Sequence, residues 1–228
     1  MHANYCKLES GPQLPPIVFT RSMWHEPPDS CDRRIEIRPF RTEDTLSLFG
    51  AVHESSEQLC AWMTWCRPDY NLEDCRFFIA EAAAAWEAGR EFSFAILDSA
   101  DGAFLGSVGI NQVNRTHNVA NLGYWVRRAR TLQGIASAAV KLAARFGLQE
   151  AGFNRLELLI PVSNVPSQRV AVKAGAQLEG VLRQRLFLAG EVHDAVLYSL
   201  VPADFELRTK KRGAGTARRV EDGFAQRV

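Results

Sequence analysis

The stretch from residue 122 to residue 175 constrains the fold most, because it reads as strand, turn, helix and strand in close succession. Residues 122–126 and 155–160 are rich in apolar side chains, and each segment predicts a strand. Between them, apolar residues recur at helical spacing from Ile135 to Phe146, so one face of this helix packs on a sheet. Hairpins upstream, followed by this strand–helix–strand unit, predict a mixed α/β sheet.

The helix in this stretch begins with small residues. Gly134 and Ala136 lie in its first turn, and Arg127, Arg128 and Arg130 lie just upstream and are expected to add positive charge. The first N–H groups of a helix have no internal partner and lie at the positive end of its dipole, where a phosphate can approach them. Taken alone, the same pattern also fits a strand–helix turn that is packed tightly for steric reasons. The glycine spacing matches neither a P-loop nor a dinucleotide fingerprint.

The neighbouring segments make the pattern specific. They are Gly123-Tyr124-Trp125-Val126, Gln133-Gly134-Ile135-Ala136, Asn164 with Ser167, Arg169 and Val170, Lys173-Ala174-Gly175, Leu178-Glu179-Gly180 and residues 196–200. Together they resemble the acetyl-CoA-binding half of the GNAT acetyltransferase superfamily. The likeness is greatest to its RimJ/RimL-type branch, which acetylates protein N-terminal amines and other primary amines.

This resemblance implies the GNAT fold, an α/β fold with a mixed, mostly antiparallel sheet, a central parallel strand pair and flanking helices. By this resemblance, an N-acetyltransferase domain is expected to span residues 34–205. Residues 1–33 contain several prolines and are expected to form an extension, and residues 206–228 are expected to form a basic, flexible tail.

The pattern of the chain predicts further elements around that stretch. Thr42 is expected to cap a first helix, residues 72–89 form an alanine-rich helix, and residues 177–188 and 191–200 form a closing hairpin. Trp62 and Trp65, three residues apart, could share one helical face. They are interpreted either as core residues or as one wall of an acceptor pocket.

The resemblance also implies acetyl-CoA as the acetyl donor, without a metal. The pyrophosphate would lie on the N–H groups of Gln133, Gly134, Ile135, Ala136 and Ser137. The strand with Trp125 and Val126 would separate from the following parallel strand, and its exposed backbone would pair with the pantetheine arm. Asn164 and Arg169 complete the expected cofactor-binding set, and a main-chain N–H near Val126 could act as oxyanion donor.

Two residues are candidates for catalysis. The resemblance places Ser167 near the thioester sulfur. Many GNAT enzymes use a tyrosine a few residues later as general acid, and since no tyrosine occurs between residues 125 and 197 here, Ser167 is the candidate for that role. Glu157 could take the proton of the amine through a water molecule. From the residues alone, Asn164 is equally a helix cap, Ser167 a hydroxyl bonded to the helix backbone, and Glu157 a partner of Arg155 or Arg169.

Weaker candidates for the base are His193, Asp194 and Asn121. Arg183 and Arg185 suggest an acidic acceptor, although the same residues could form a solvated strand face.

Composition narrows the class of partner. The formal net charge is +1, which argues against binding to nucleic acid through overall charge, and no apolar run approaches the roughly 18 residues of a membrane span. The five cysteines form neither a disulfide framework nor a zinc pattern, so most of them are expected to be buried or incidental thiols in a reducing compartment. We therefore expect a cytoplasmic protein that binds acetyl-CoA and an amine acceptor, and a homodimer is compatible with this.

Three other functions stay open at this point. The chain could be a non-catalytic acyl-CoA-binding module or an acetyltransferase for small-molecule amines. A third option is a protein-binding or RNA-binding module that acts through the basic residues 207–228.

Overall fold

The computed structural model describes residues 35–204. The expected N-terminal extension and basic tail lie outside the described residues. Seven strands form one sheet, and their bounds are β1 (Ile35–Pro39), β2 (Phe92–Asp98), β3 (Phe104–Asn114), β4 (Val119–Val126), β5 (Arg155–Pro161), β6 (Gln177–Leu188) and β7 (Glu191–Leu200). The main helices are α1 (Thr45–Trp62), α2 (Leu72–Glu87), α3 (Ile135–Arg145) and α4 (Val165–Ala174).

The sheet has the order β1-β2-β3-β4-β5-β7-β6. All neighbouring strands are antiparallel except β4 and β5, which are parallel. The parallel ladder contains three residue pairs and ends at Asn121 and Glu157. We call the space between residues 122–126 of β4 and residues 158–161 of β5 the strand gap. The predicted α/β fold, with its single parallel pair, is therefore confirmed.

Two apolar clusters cover the two faces of the sheet. On one face, Leu122 and Val126 of β4 pack with the buried alanines of α3. On the other, Trp125 packs with residues of α1 and α2, including Leu48 and Ile79. Because side chains alternate along a strand, β4 contributes to both cores, and Trp125 belongs to the face that carries α1 and α2.

The start of α1 differs from the prediction that Thr42 caps it. A short 3-10 turn, Thr42–Asp44, precedes the helix. The Asp44 carboxylate accepts a hydrogen bond from the Arg41 N–H at 2.8 Å and pairs with Arg38 at 2.7 Å. Asp44 directly precedes α1, but its carboxylate is engaged by Arg38 and Arg41 and makes no cap bond to the helix.

The end of α1 also differs. The helix ends at Trp62, and Met63 has extended backbone, so Trp62 and Trp65 do not share a helical face. A disulfide joins Cys60 to Cys66 across this turn, which corrects the expectation that the cysteines are mostly thiols. Cys75 is a free, buried thiol.

Candidate active site

The first turn of α3 is open, as its small residues predict. Gly134 precedes the helix with φ of 78°, a left-handed conformation that favours glycine, and no side chain caps the helix. The Ser137 hydroxyl donates to the Gly134 carbonyl at 2.9 Å, so this side chain is turned onto the helix backbone. Gln133 is exposed, Ala136 is half-buried and Ile135 is buried in the core. The N–H groups of this turn are therefore available to an anion.

The arginines upstream are held by α1. Arg127 pairs with Glu54 at 2.5 Å, and Arg128 pairs with Glu57 at 2.9 Å. Glu54 also accepts the Ala129 N–H at 3.0 Å. Partial burial raises the pKa of Glu54, but the hydrogen bonds from Ala129 and Arg127 outweigh it and leave the pKa lowered. The expectation that all these arginines lend positive charge to the helix start is thus corrected, because two of them are neutralised by acids of α1.

A tyrosine that the sequence analysis did not use lies beside the strand gap. The Tyr124 hydroxyl donates to the Ser167 carbonyl at 3.0 Å and lies 2.7 Å from Ser167 Oγ. Burial raises the pKa of Tyr124 to about 12, and the hydrogen bond to Ser167 opposes that shift. The resemblance places the family's tyrosine after Ser167, so it did not point to Tyr124. The alternation of β4 was the signal that could have found it, since Tyr124 shares a face with Leu122 and Val126.

Asn164 is the cap of α4, as one of its two interpretations predicted. Its Oδ1 accepts the Ser167 N–H at 3.2 Å, and Pro166 lies in the first turn. Trp125 and Val126 are buried, whereas Arg169 is exposed on α4. The structure therefore brings Asn164, Ser167 and Tyr124 together at the gap.

Glu157 lies in the last pair of the parallel ladder, opposite Asn121. It pairs with Arg155 at 2.8 Å, so the predicted alternative of an Arg155 partner is confirmed. Arg155 also pairs with Glu179 at 2.6 Å, and this bond and the Ser199 hydroxyl lower the pKa of Glu179 to about 2.

Glu157 faces a polar cleft of about 430 Å³, which also has Asn121, His117 and Arg185 in its lining. Arg185 was one of the two arginines that suggested an acidic acceptor. A carboxylate and a cation thus meet in the same cleft.

Two of the other candidate bases, Asn121 and Asp194, make hydrogen bonds within the fold. The Asn121 amide donates to Asn111 Oδ1 at 2.8 Å. Asp194 Oδ1 accepts the Gln184 N–H at 2.7 Å, which holds an irregular segment of β6. His193 is half-buried in β7.

A second cleft, of about 450 Å³, lies on the face that carries α1 and α2. We call it the aromatic cleft after the large side chains in its lining, which are Met63, Trp65, Tyr70, Phe77, Phe78 and Trp125. The Trp65 ring lies 6.2 Å from that of Trp125 and 5.7 Å from that of Tyr70. Of the two tryptophans, Trp65 thus lines a cleft, as the acceptor-wall interpretation requires.

Among residues 35–204, no helix is both long and apolar enough to cross a membrane.

Comparisons with known proteins agree with this geometry. A family model described as an acetyltransferase (GNAT) domain matches residues 34–177. The probable N-acetyltransferase YjcK of Bacillus subtilis is 27% identical over 76% of this chain and 97% of its own length. The ribosomal-protein-serine acetyltransferase of Escherichia coli is 26% identical over 63% of this chain and 83% of its own. The solved structure of Mycobacterium smegmatis RimJ in complex with CoA-disulfide has a TM-score of 0.67 at 24% identity, covering 81% of this chain and 96% of that one.

Proposed function

The chain belongs to the GNAT acetyltransferase family, and from that premise we propose how its residues move an acetyl group from acetyl-CoA to a primary amine. One observation carries the proposal. The pairing of β4 with β5 ends at Asn121, residues of β4 line both clefts, and the chain runs from β4 into the uncapped start of α3, so a thioester in the strand gap could face an amine in a cleft. Holding both reactants in this way supplies much of the rate enhancement in a two-substrate reaction.

The donor would bind through backbone groups. Its pyrophosphate lies on the N–H groups of residues 133–137, and Arg130 adds positive charge nearby. The pantetheine arm follows Trp125 and Val126 through the gap and bonds Asn164, with Arg169 on the exposed side of α4. The domain that carries these residues spans 34–205.

The chemistry needs little from an acid. The amine nitrogen forms a bond to the carbonyl carbon, the C–S bond breaks, and the main-chain N–H near Val126 stabilises the oxyanion. A thiol has a pKa of about 8.5, so it leaves readily as a thiolate near neutral pH. A phenol with a pKa of about 12 would not give up its proton to such a group. We therefore assign Ser167 as hydrogen-bond donor to the sulfur and Tyr124 as the residue that orients it.

Glu157 is the base in this proposal. It would take the proton of the amine through a water molecule in the polar cleft, beside Asn121. Its position at the last pair of the parallel ladder, where the strands begin to separate, supports this role.

The acceptor is proposed to be a protein N-terminal α-amine. The support is the name of the Escherichia coli relative, a ribosomal-protein-serine acetyltransferase. We place the reaction in the cytoplasm, because ribosomal proteins are made there. A reducing cytoplasm would keep Cys60 and Cys66 as thiols, so the disulfide belongs to the oxidised form of the protein. Acetylation of small amines alone would favour the small-molecule alternative.

The test uses two isosteric changes near opposite ends of one helix. Gln133→Glu adds a negative charge at the proposed pyrophosphate site, whereas Gln149→Glu adds the same charge beyond the far end of α3, and both residues are exposed. We expect Gln133→Glu to weaken acetyl-CoA binding about tenfold, since nearby charges interact by roughly 1–4 kcal/mol at partly exposed sites. Gln149→Glu should bind like the unaltered protein.

The measurements are thermal unfolding with and without acetyl-CoA, and mass spectrometry of amine products. Saturating acetyl-CoA should raise Tm by roughly 5–10 °C. Equal effects of the two variants would contradict the proposed cradle. A thermal shift without any acetylated amine would favour the non-catalytic acyl-CoA-binding module.

A further inference from the structure

The aromatic cleft exposes large apolar side chains that a sealed core would bury. The Trp65 side chain is 41% exposed and that of Phe77 is 69% exposed. Contiguous apolar surface of this kind marks a binding site more often than an isolated exposed residue does. The volume of about 450 Å³ lies within the range of small-molecule pockets. The cleft is therefore suited to an apolar group rather than to water.

The floor of the cleft is made of small residues of β3 and β4. Ser107, Gly109 and Gly123 line it, and a Cβ atom placed on Gly123 would have no neighbour nearer than 3.8 Å. The open space thus reaches the β4 backbone next to Tyr124 and Trp125. An occupant of the cleft lies directly beside the segment to which the thioester is assigned.

The rim of the cleft favours a cation. Glu81 and Glu91 are exposed in its lining, and neither forms an ion pair with any residue that the structure describes. Arg67, a cation of the lining, is already paired with Asp69 and Asp74 at 2.8 Å each. Uncompensated carboxylates attract an ammonium group and repel a carboxylate.

We propose that the acceptor is a primary amine with an aromatic or large aliphatic group close to its nitrogen, and that this group occupies the aromatic cleft. The inference rests on the proposed acetyl transfer and specifies its substrate class. The same chemistry occurs in an arylalkylamine and in a polypeptide whose first residue is aromatic, so both sources enter the test.

The first experiment compares matched amines with the intact protein and acetyl-CoA. Phenethylamine is compared with ethylamine, and a lysine-free peptide that begins with Phe is compared with the same peptide that begins with Ser. We expect kcat/KM to be about ten- to a hundredfold higher for the aromatic member of at least one pair, from the burial of one aromatic side chain. The pair that shows the preference identifies the source. Ratios near one in both pairs would overturn the proposal.

Binding is measured separately by the tryptophan fluorescence of the protein saturated with CoA. Selective quenching by phenethylamine without turnover would support the cleft assignment while contradicting the acetyl transfer. Turnover without any aromatic preference would do the opposite, so the two failures are distinguishable.

Two exposed phenylalanines provide the matched variants. Phe77 lines the cleft, whereas Phe187 lies on β6, outside the lining, with a similar exposure of 65%. Phe77→Ala should lower the phenethylamine-to-ethylamine ratio of kcat/KM at least fivefold, and Phe187→Ala should leave that ratio unchanged. An equal ratio in both variants would place the aromatic group elsewhere and overturn the assignment.

Discussion

At the scale of single residues, position 106 must be glycine because the backbone of the neighbouring strand β4 leaves no room for a side chain. It pairs with Val126 in the β3–β4 ladder and has φ of 153°. A Cβ atom at this position would overlap the carbonyl oxygen of Trp125 and lie 2.9 Å from the Cα of Val126. Because these obstacles are backbone atoms, β4 itself would have to shift, at the segment assigned to the thioester.

We expect Gly106→Ala to lower the free energy of unfolding by about 1–3 kcal/mol, as overpacking does, and to reduce acetyl transfer. The control is Gly50→Ala in α1, where an added Cβ meets nothing within 4 Å. Replacing a glycine inside a helix by alanine should raise the free energy of unfolding by about 0.5–1 kcal/mol. Urea titrations would measure the free energy of unfolding of both variants. A Gly106→Ala protein as stable as the Gly50→Ala control would refute the steric argument.

Tyr124 and Ser167 offer a second test at this scale. The Tyr124 phenol has one proton and two acceptors on Ser167, so its hydroxyl fixes the orientation of the serine. Tyr124→Phe keeps the ring but removes this bond. We expect kcat to fall by up to about tenfold, the value of one net hydrogen bond, with little change in KM for acetyl-CoA.

Ser167→Ala and the double variant complete a mutant cycle for this pair. If Tyr124 acts through Ser167, the second change adds little to the first. Fully additive losses in kcat would show that the two hydroxyls act independently.

At the scale of elements, local pattern predicted some boundaries and tertiary contacts determined others. The bounds of β6 and β7 follow from the alternation of their residues and from the turn at Ala189 and Gly190, and the structure confirms them. The end of α1 at Trp62 and the Cys60–Cys66 disulfide beside it were not predicted, because the spacing of these cysteines is typical of no known motif. The bond from Tyr124 to Ser167 spans 43 positions of the chain and was likewise inaccessible to local pattern.

The Cys60–Cys66 disulfide closes a short loop that contains Met63 and Trp65, two residues of the aromatic cleft. In Cys60→Ser we expect KM for the acceptor to rise severalfold, because the wall loses its constraint, with KM for acetyl-CoA unchanged. Because the disulfide closes only a short loop, its removal should also lower the free energy of unfolding by about 2 kcal/mol, through the chain entropy of the unfolded state. Steady-state kinetics and calorimetry measure both.

A reductant provides the control for this prediction. The reductant should raise KM for the acceptor in the unaltered protein and leave that KM unchanged in Cys60→Ser. An unchanged acceptor KM in both cases would mean that the disulfide does not support the cleft.

At the scale of the whole molecule, the fold and the open start of α3 could both be predicted from one contiguous stretch of the sequence, residues 122–175. What the sequence did not predict is that two clefts of different character share one face of the sheet. The polar cleft combines residues of strands β3 to β6, and the aromatic cleft combines α1, α2 and strands β2 to β4. Such assemblies depend on strand order, which places residues distant in the sequence side by side.

The short parallel ladder also has a consequence for how the molecule assembles. It divides the sheet into two antiparallel halves, β1–β4 and β5–β7, which three residue pairs connect. Most pairings within each half join strands close in sequence, so each half can form early, whereas parallel pairing across a helical crossover is intrinsically slow. We therefore expect the two halves to dock late in folding. A nascent or partly folded chain would accordingly have no place where donor and acceptor meet, so substrate binding reports the completed fold.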